Sequence, residues 1–300
     1  MFYVDTKKYK GQDSFLKNIH EYFSTLFDKS VFIHYSVESG RVFRMVSLMN
    51  RQSFRTGFAS FLLVLGMILS GCSKKEPPLV VLTTGENAPF SMKDEKGELS
   101  GFDIDLIRMI AASMNRELEL KCVPFDSIID DIRTKRADMA IGSISITEDR
   151  TNLVDFSPAY HHSGFSLVML GTTSSNLKDL SNKMIAVRKG TWQERAVKTT
   201  WADLPNLFVQ SFDHLTINDI ITKLRNGEVC AVIVDNDEAN YIVNRNADLK
   251  IVALDVGTLG MGIITSQNSI YSQPVKDFIE RHSNEIHDLE VKWFHPVVTR

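Results

Sequence analysis

From Leu79 onward, short apolar runs alternate with segments whose apolar residues recur at helical spacing. The runs Leu79–Thr84, Leu118–Phe125 and Asp138–Gly142 predict strands. Asp103–Asn115, with Asp103 as its N-cap, and Ser127–Lys135 predict amphipathic helices. Strands that alternate with helices are typical of a parallel sheet in an α/β architecture.

The second half of the chain repeats this design. SIIDDIRTKRADMAIG (127–142) and DIITKLRNGEVCAVIV (219–234) each run from an Ile-Ile helix through a basic turn into a buried strand. A strand at 184–190 and a helix at 238–246 extend the second copy. The repeat favours two similar α/β lobes, and ligands of such sheets bind at the carboxyl ends of the strands. A cleft between the lobes is therefore expected.

The stretch before the first strand has the features of an export signal. Two arginines precede an apolar run, Gly57–Ser70, which is followed by Leu-Ser-Gly-Cys. The run is shorter than the roughly 20 residues that span a membrane, and its flanks fit a secretory signal at residues 49–71. The Leu-Ser-Gly-Cys sequence resembles the lipidation motif of bacterial lipoproteins, which implies a lipid on Cys72. Residues 72–78 would form a linker.

Residues 1–48 lie upstream of this signal, and an export signal rarely works when a long segment precedes it. We therefore expect translation to start at Met49 or Met45, which makes residues 1–48 a non-native extension. The protein is then expected in the periplasm or at the cell surface, anchored to a membrane through Cys72.

The net charge argues against nucleic-acid binding. The chain carries a net charge of −3, and the part after Cys72 is more acidic still, without a basic run. Such a chain is a poor candidate for nucleic-acid binding.

Cys122 and Cys230 lie in apolar runs of different predicted lobes. We expect two buried free thiols there, with a disulfide as the alternative for an exported protein.

Five segments resemble, in order, the family 3 extracytoplasmic solute-binding proteins, the polar amino-acid receptors of ABC importers. The resemblance covers Leu79–His295, and its carriers are NAPFSMKDEKGELSGFDIDL, PFDSIIDDIRTKRADMAIGSISITEDRTNLVDFSPAYHHSG, VRKGTWQE, EVCAVIVDNDEANYIV and VKWF.

That resemblance implies the two-lobed type II periplasmic-binding-protein fold. Lobe 1 would comprise residues 79–167 plus 259–300 and lobe 2 residues 168–258, with crossings near Ser166–Gly171 and Ile251–Leu259. It also implies a free L-amino acid as ligand, an ABC transporter permease as partner, a monomer and no cofactor.

For the ligand carboxylate, the resemblance implies Arg150, whose planar fork can donate two parallel hydrogen bonds. The alternative is a solvated turn charge beside Glu148 and Asp149. Two further groups would donate hydrogen bonds to the same carboxylate. They are Ser145, at the end of the preceding strand, and the turn at Thr191 and Trp192, which precedes a helix.

For the ligand ammonium, the resemblance implies Asp235 with the Gly142 carbonyl and the Ser143 hydroxyl. Asp235 ends an apolar strand, and its alternative role is to cap a helix that begins near Glu238. Asn236 and Asp237 could provide that cap instead.

The ligand side chain would contact Phe125, Asn87, Thr84 and Arg188. Relatives often carry an aromatic at the position of Asn87 and an acid at that of Thr84, which weakens an assignment to lysine or arginine. A cation at Arg188 favours glutamine or glutamate, and arginine is the alternative ligand. Glu86 could neutralise Arg188 or bind a basic ligand.

Catalysis and metal binding are the remaining alternatives. His161 and His162 are adjacent with no third ligand at a regular spacing, so structural histidines are expected rather than a metal site. We expect a binding protein and not an enzyme. The alternative is a cyclohexadienyl-dehydratase-like enzyme on the same fold, in which Glu194 would act as general acid or base.

Overall fold

The computed structural model describes residues 35–38, 41–44, 76–200, 207–254 and 257–294. The chain divides into two units, residues 1–75 and 76–300. In the first unit, β1 (Tyr35–Glu38) and β2 (Arg41–Arg44) form an antiparallel hairpin. The predicted export signal and Cys72 lie outside the described residues and stay predictions.

The second unit is built from short strands and helices. Its strands are β3 (Leu79–Thr83), β4 (Glu86–Asn87), β5 (Ser91–Lys93), β6 (Leu99–Ser100), β7 (Leu118–Cys122), β8 (Met139–Ala140), β9 (Asp155–Phe156), β10 (His161–Ser163), β11 (Phe165–Leu170), β12 (Met184–Arg188), β13 (Phe208–Phe212), β14 (Ala231–Asp235), β15 (Leu249–Ala253), β16 (Leu259–Met261) and β17 (Ile264–Thr265). Its helices are α1 (Phe102–Ser113), α2 (Ile128–Arg133), α3 (Glu148–Thr151), α4 (Trp192–Thr200), α5 (Ile217–Arg225), α6 (Asn236–Val243), α7 (Ser272–Arg281) and α8 (Ser283–Phe294). Among the described residues, no helix is long and apolar enough to cross a membrane.

Two five-stranded sheets form the centres of two lobes. In the first, ordered β7-β3-β8-β17-β9, strand β3 is parallel to β7 and β8, and β17 is antiparallel to its neighbours. In the second, ordered β13-β12-β14-β11-β15, strand β12 is parallel to β13 and β14, and β11 is antiparallel to β14 and β15. The predicted two-lobed α/β fold is confirmed.

Helices cover both faces of each sheet, which explains why the central strands are continuous apolar runs. In β3, Val81 packs in the core that holds α1, and its neighbour Leu82 packs in the core that holds α2. Val232 and Ile233 of β14 divide in the same way between two cores of the second lobe. The alternation follows from the opposite directions of successive side chains in a strand.

The C-terminal helices belong with the first sheet. Phe278 of α7 and Ile286 of α8 lie in the same apolar core as Phe102 of α1. The last described segment therefore returns to the lobe in which the second unit begins.

The chain passes between the lobes at a separate pair of strands, β10 and β16. They are antiparallel, with His161 opposite Met261. The crossing predicted at Ser166–Gly171 is displaced, because these residues lie mainly in β11, a strand of the second sheet. Their apolar side chains alternate between two buried cores, so this run is a core strand and not a hinge. The second crossing follows the end of β15 at Ala253.

The prediction of two buried thiols is wrong, although both cysteines are free. Cys122 is exposed and Cys230 is only partly buried. Cys122 ends β7, which is an edge strand of the first sheet and has mostly accessible side chains. An apolar run on an edge strand does not require burial on both faces.

Candidate functional site

The first lobe contributes the loop that follows β8. Its residues Gly142, Ser143 and Ser145 are buried. Ser143 has a positive φ of 48°, and its backbone N–H donates to the Asp103 carboxylate at 2.8 Å. Its hydroxyl oxygen accepts from the Asn87 amide at 2.5 Å. The loop is thus fixed on two sides with its polar atoms at the sheet edge.

Asp103 was expected to cap α1, but the N-cap is Gly101. Gly101 has a φ of 132°, and a Cβ there would lie 2.2 Å from the Phe90 carbonyl oxygen. Asp103 instead lies inside the first turn, fully buried, where it holds the Ser143 backbone. Burial raises the pKa of its carboxyl to about 6.

Arg150 is buried, so it is not a solvated turn charge, whereas Glu148 and Asp149 before it are exposed. Its guanidinium donates to the Ser145 carbonyl at 2.9 Å and to the Gly190 carbonyl of the second lobe at 2.9 Å. It also lies over the Phe125 ring, 5.5 Å from the centroid. Burial lowers its pKa from the usual arginine value. Arg150 therefore links the facing edges of the two lobes.

The second lobe contributes the turn between β12 and α4. The Thr191 hydroxyl donates to the Arg188 carbonyl at 2.6 Å and accepts from the Glu194 N–H at 3.2 Å. The Gly190 N–H donates to the Glu194 carboxylate at 2.7 Å, so a side chain of α4 already occupies one donor of the turn. The Trp192 ring packs against the core of the lobe and beside Arg195.

Asp235 occupies the N-cap position of α6, but its side chain makes no capping hydrogen bond. It is 3% exposed and accepts from the Gln193 side-chain amide at 2.7 Å. Burial raises the pKa of Asp235 to about 8, and the nearby Glu238 adds to the effect. A cationic group beside this carboxyl would be expected to restore its ionised form.

Arg188 and Glu238 form a buried ion pair next to Asp235. The guanidinium donates to Glu238 at 3.1 Å and to the Leu215 carbonyl at 2.9 Å. Burial alone would lower the pKa of Arg188, but the Glu238 carboxylate outweighs it and raises that pKa. The buried Nε of Arg188 and Oε2 of Glu238 have no hydrogen-bond partner in the part of the chain that the structure describes. Arg188, which lines the cleft, therefore keeps one unpaired donor.

These residues meet in a narrow cleft that is partly open to solvent. Nine of the eleven predicted ligand-binding residues line it, and Arg150 and Trp192 lie beside it instead. The lining residues are Thr84, Asn87, Phe125, Gly142, Ser143, Ser145, Arg188, Thr191, Gln193 and Asp235.

Gln193 is the lining residue that the sequence did not predict. It is buried in the first turn of α4, and Ala196 and Val197 are buried three and four residues later. A polar residue in the apolar stripe of a helix is the signal that could have identified it.

Ion pairs join the lobes at the rim of the cleft. Glu86 of the first lobe lies 2.9 Å from the His214 ring of the second, and its backbone carbonyl accepts from Arg188 at 3.4 Å. Lys189 and Asp126 are 3.0 Å apart, and Arg195 and Asp149 are 2.7 Å apart. These pairs are largely exposed, so each contributes little by itself.

The residues considered as alternatives for metal binding and catalysis have other partners. His161 is partly buried and lies between Asp237 and Glu290, whereas His162 is exposed. Within the described ranges, no three metal-ligating side chains come together. Glu194 accepts from Gly190, Lys198 and Ser211 and is not among the lining residues.

Residues 79–296 match the family model described as bacterial extracellular solute-binding proteins, family 3. The chain is 25% identical over 231 residues to the arginine-binding extracellular protein ArtP of Bacillus subtilis, with 75% of this chain and 89% of that protein covered. It is 31% identical to a probable histidine-binding protein of Neisseria gonorrhoeae, with 71% and 82% covered.

Among solved structures, it is similar to the ancestral amino acid-binding protein AncCDT-1, a precursor of cyclohexadienyl dehydratase. The TM-score is 0.64 and the identity 26%, with 72% of this chain and 95% of that chain covered.

Proposed function

The chain belongs to the bacterial extracellular solute-binding proteins of family 3, and from that premise we propose that it binds a polar L-amino acid and delivers it to an ABC transporter. The ligand would lie between the lobes of a monomeric extracytoplasmic receptor. Closure of the lobes around it would shift an existing equilibrium, favoured by the contacts that form only in the closed state.

The main support is the buried carboxyl of Asp235, which lines the cleft and has no ion-pair partner among the described residues. Nearby Arg188 is already paired with Glu238. A buried carboxylate needs a cation or several hydrogen bonds to stay ionised, and an α-ammonium group would provide both. The ligand carboxylate would then lie toward the Ser143–Ser145 edge and Arg150 of the first lobe.

For the ligand side chain we propose a hydrogen-bond acceptor, as in glutamine or glutamate, in preference to arginine. Among the lining residues, Asp235 is the only carboxylate, and the proposal assigns it to the α-ammonium. Arg188 has an unpartnered buried Nε–H that could donate to a side-chain carbonyl. A guanidinium ligand would instead meet the charge of Arg188, unless Glu86 gave up its contact with His214.

We predict that glutamine or glutamate raises the melting temperature of the purified chain more than arginine does in a thermal-shift screen of the twenty amino acids. A ligand that binds only the native state at a hundred times its Kd adds about 2.7 kcal/mol to stability. A larger shift with arginine would overturn the side-chain assignment. If no amino acid shifts the melting temperature, the receptor function itself is wrong.

The same preparation separates the receptor from the dehydratase alternative. Incubation with prephenate or arogenate is expected to leave both substrates unchanged in an absorbance assay, since Glu194 is held by Gly190, Lys198 and Ser211. Turnover that disappears in Glu194→Gln would favour the enzyme.

We also propose that a lipid on Cys72 anchors the receptor to a membrane. Cys72→Ser is expected to move the protein from the membrane fraction to the soluble fraction and to remove the lipid mass from the intact protein. The matched control is Cys122→Ser, because Cys122 is an exposed free thiol in the folded unit. A Cys72→Ser protein that stays in the membrane fraction would exclude this anchor.

A further inference from the structure

His161 lies at the hinge with its ring packed among aromatic side chains. It opens β10, opposite Met261 of β16, and its side chain is 10% exposed. Its ring centroid lies 4.7 Å from that of Phe294, 5.7 Å from that of Phe90 and 5.9 Å from that of Phe102. The packing fixes the plane of the imidazole and therefore the directions of its two nitrogens.

Each imidazole nitrogen meets a carboxylate. Nδ1 lies 2.7 Å from Oε1 of Glu290, and Nε2 lies 3.0 Å from Oδ2 of Asp237. A neutral imidazole carries one N–H and can donate to only one of these two side chains. Both contacts are hydrogen bonds only when the ring is an imidazolium.

The two carboxylates belong to different lobes. Asp237 is in the first turn of α6 in the second lobe, two residues after Asp235. Glu290 is on α8, which packs with α1 in the first lobe. The Ser163 hydroxyl donates to the same Asp237 oxygen at 2.7 Å, so α6 is held to the hinge strand by two neighbouring side chains. Movement of α6 relative to α8 must strain or break this chain of contacts.

We propose that His161 is a positioning residue whose imidazolium joins α6 to α8 across the hinge and holds Asp235 in its ligand-binding position, so that amino-acid affinity falls when the ring loses its proton. The inference rests on the proposed receptor function, because its readout is ligand affinity. It adds a pH dependence that the cleft residues alone do not give.

The groups that face the ring favour its charged form. They are Asp237 from α6, Glu290 from α8 and, from α1, the buried Asp103. His287 approaches Glu290 at 3.3 Å but is exposed. Burial alone would lower the pKa of His161, but its hydrogen bonds to Asp237 and Glu290 outweigh burial and raise that pKa.

The direction of the pH effect follows from this shift. A histidine whose pKa is raised by folding contributes fully below its unfolded value of about 6.5. The contribution is lost as pH rises through the folded pKa. For Asp237, burial raises the pKa, but the hydrogen bond from His161 outweighs it and lowers that pKa, so this partner stays ionised over the same range.

The test is the ratio of Kd values, His161→Gln over wild type, measured by calorimetry on the full chain from pH 5.5 to 9.5 with the amino acid found in the thermal-shift screen. Gln keeps one donor and cannot be protonated, so it mimics the neutral ring. The ratio is expected to be about tenfold at low pH, within the range of coupled sites, and to approach one at high pH. Taking the ratio cancels the titration of Asp235 and of the ligand.

The matched control is His162→Gln, because His162 is the exposed neighbour on the same strand. Its ratio is expected to stay near one at every pH. A ratio for His161→Gln that is constant with pH would overturn the positioning role and leave the receptor function intact. If wild type binds no amino acid at any pH, both proposals fail.

A second measurement tests the proposal without the His161→Gln variant, in case that variant does not fold. In NMR spectra of the wild type, the His161 ring is expected to titrate above the ordinary histidine range, and Glu290→Gln is expected to lower its pKa. A ring that titrates at or below about 6.5 overturns the proposal.

Discussion

Replacing Arg150 by alanine is expected to weaken amino-acid binding at least about a hundredfold, because truncating one partner of a buried charged pair typically costs 2–5 kcal/mol. Arg150 is buried and bonds to the carbonyls of Ser145 and Gly190, on the two facing edges of the lobes. In the proposed complex, the variant loses the donor for the ligand carboxylate and the link that the closed state uses. Calorimetry with the amino acid from the thermal-shift screen measures the loss.

Two further variants separate the contribution of the planar Arg150 guanidinium from that of its charge. Arg150→Lys keeps the charge without the planar pair of donors, so its affinity is expected to lie between wild type and alanine. Arg195→Ala removes another arginine that links the lobes, through Asp149, but at an exposed position, and it is expected to bind as wild type does. Near-wild-type affinity of Arg150→Ala, with its fold intact by circular dichroism, would refute the role.

The architecture could be predicted because both faces of its central strands are buried. Runs such as Val80–Leu82 and Val232–Val234 are apolar throughout, and helices with one apolar face lie between them, so pattern alone indicates an α/β fold. The first hinge could not be located in this way. Phe165–Leu170 is as apolar as a core strand, and the true crossing at His161–Ser163 is polar and short.

Much of the candidate site followed from strand ends and from resemblance, whereas its supporting residues did not. Thr84, Gly142, Arg188 and Asp235 lie at the carboxyl ends of β3, β8, β12 and β14, where such sheets form clefts. Asp103, Gln193 and Glu238 are different, because each looks like an ordinary polar residue of a first helical turn. Their roles depend on burial and on partners far away in sequence, which a local pattern does not contain.

The contacts of Arg150 beside the cleft show why residue type alone does not assign its role. A planar fork suits a carboxylate, but here two of its donors bond to backbone carbonyls of both lobes. A role in holding the lobes together is therefore as much a part of this residue as the proposed ligand contact.

The largest expected effect on stability comes from Glu238, whose Oε1 accepts from Arg188 at 3.1 Å in the interior of the second lobe. Glu238 is fully buried and Arg188 nearly so. Glu238→Gln leaves the buried guanidinium without its paired carboxylate, and removing one partner of a buried pair typically costs 3–5 kcal/mol. We expect a loss of about 3 kcal/mol or more in the free energy of unfolding, measured by urea denaturation.

The double variant Arg188→Met with Glu238→Leu distinguishes loss of pairing from loss of packing. Replacing a whole buried ion pair with apolar residues of similar volume is often neutral or stabilising, so this variant is expected to regain most of the stability that Glu238→Gln loses. It would still lack the Arg188 donor beside the cleft, and its affinity for glutamine or glutamate is expected to stay low.

Asp248→Asn, which breaks the exposed pair with Arg225, serves as the control and is expected to unfold as wild type does. Equal stability of Glu238→Gln and wild type would mean that Arg188 is already solvated in the second lobe. That result would remove the charge-based argument for an acceptor on the ligand side chain, because a hydrated guanidinium does not need one.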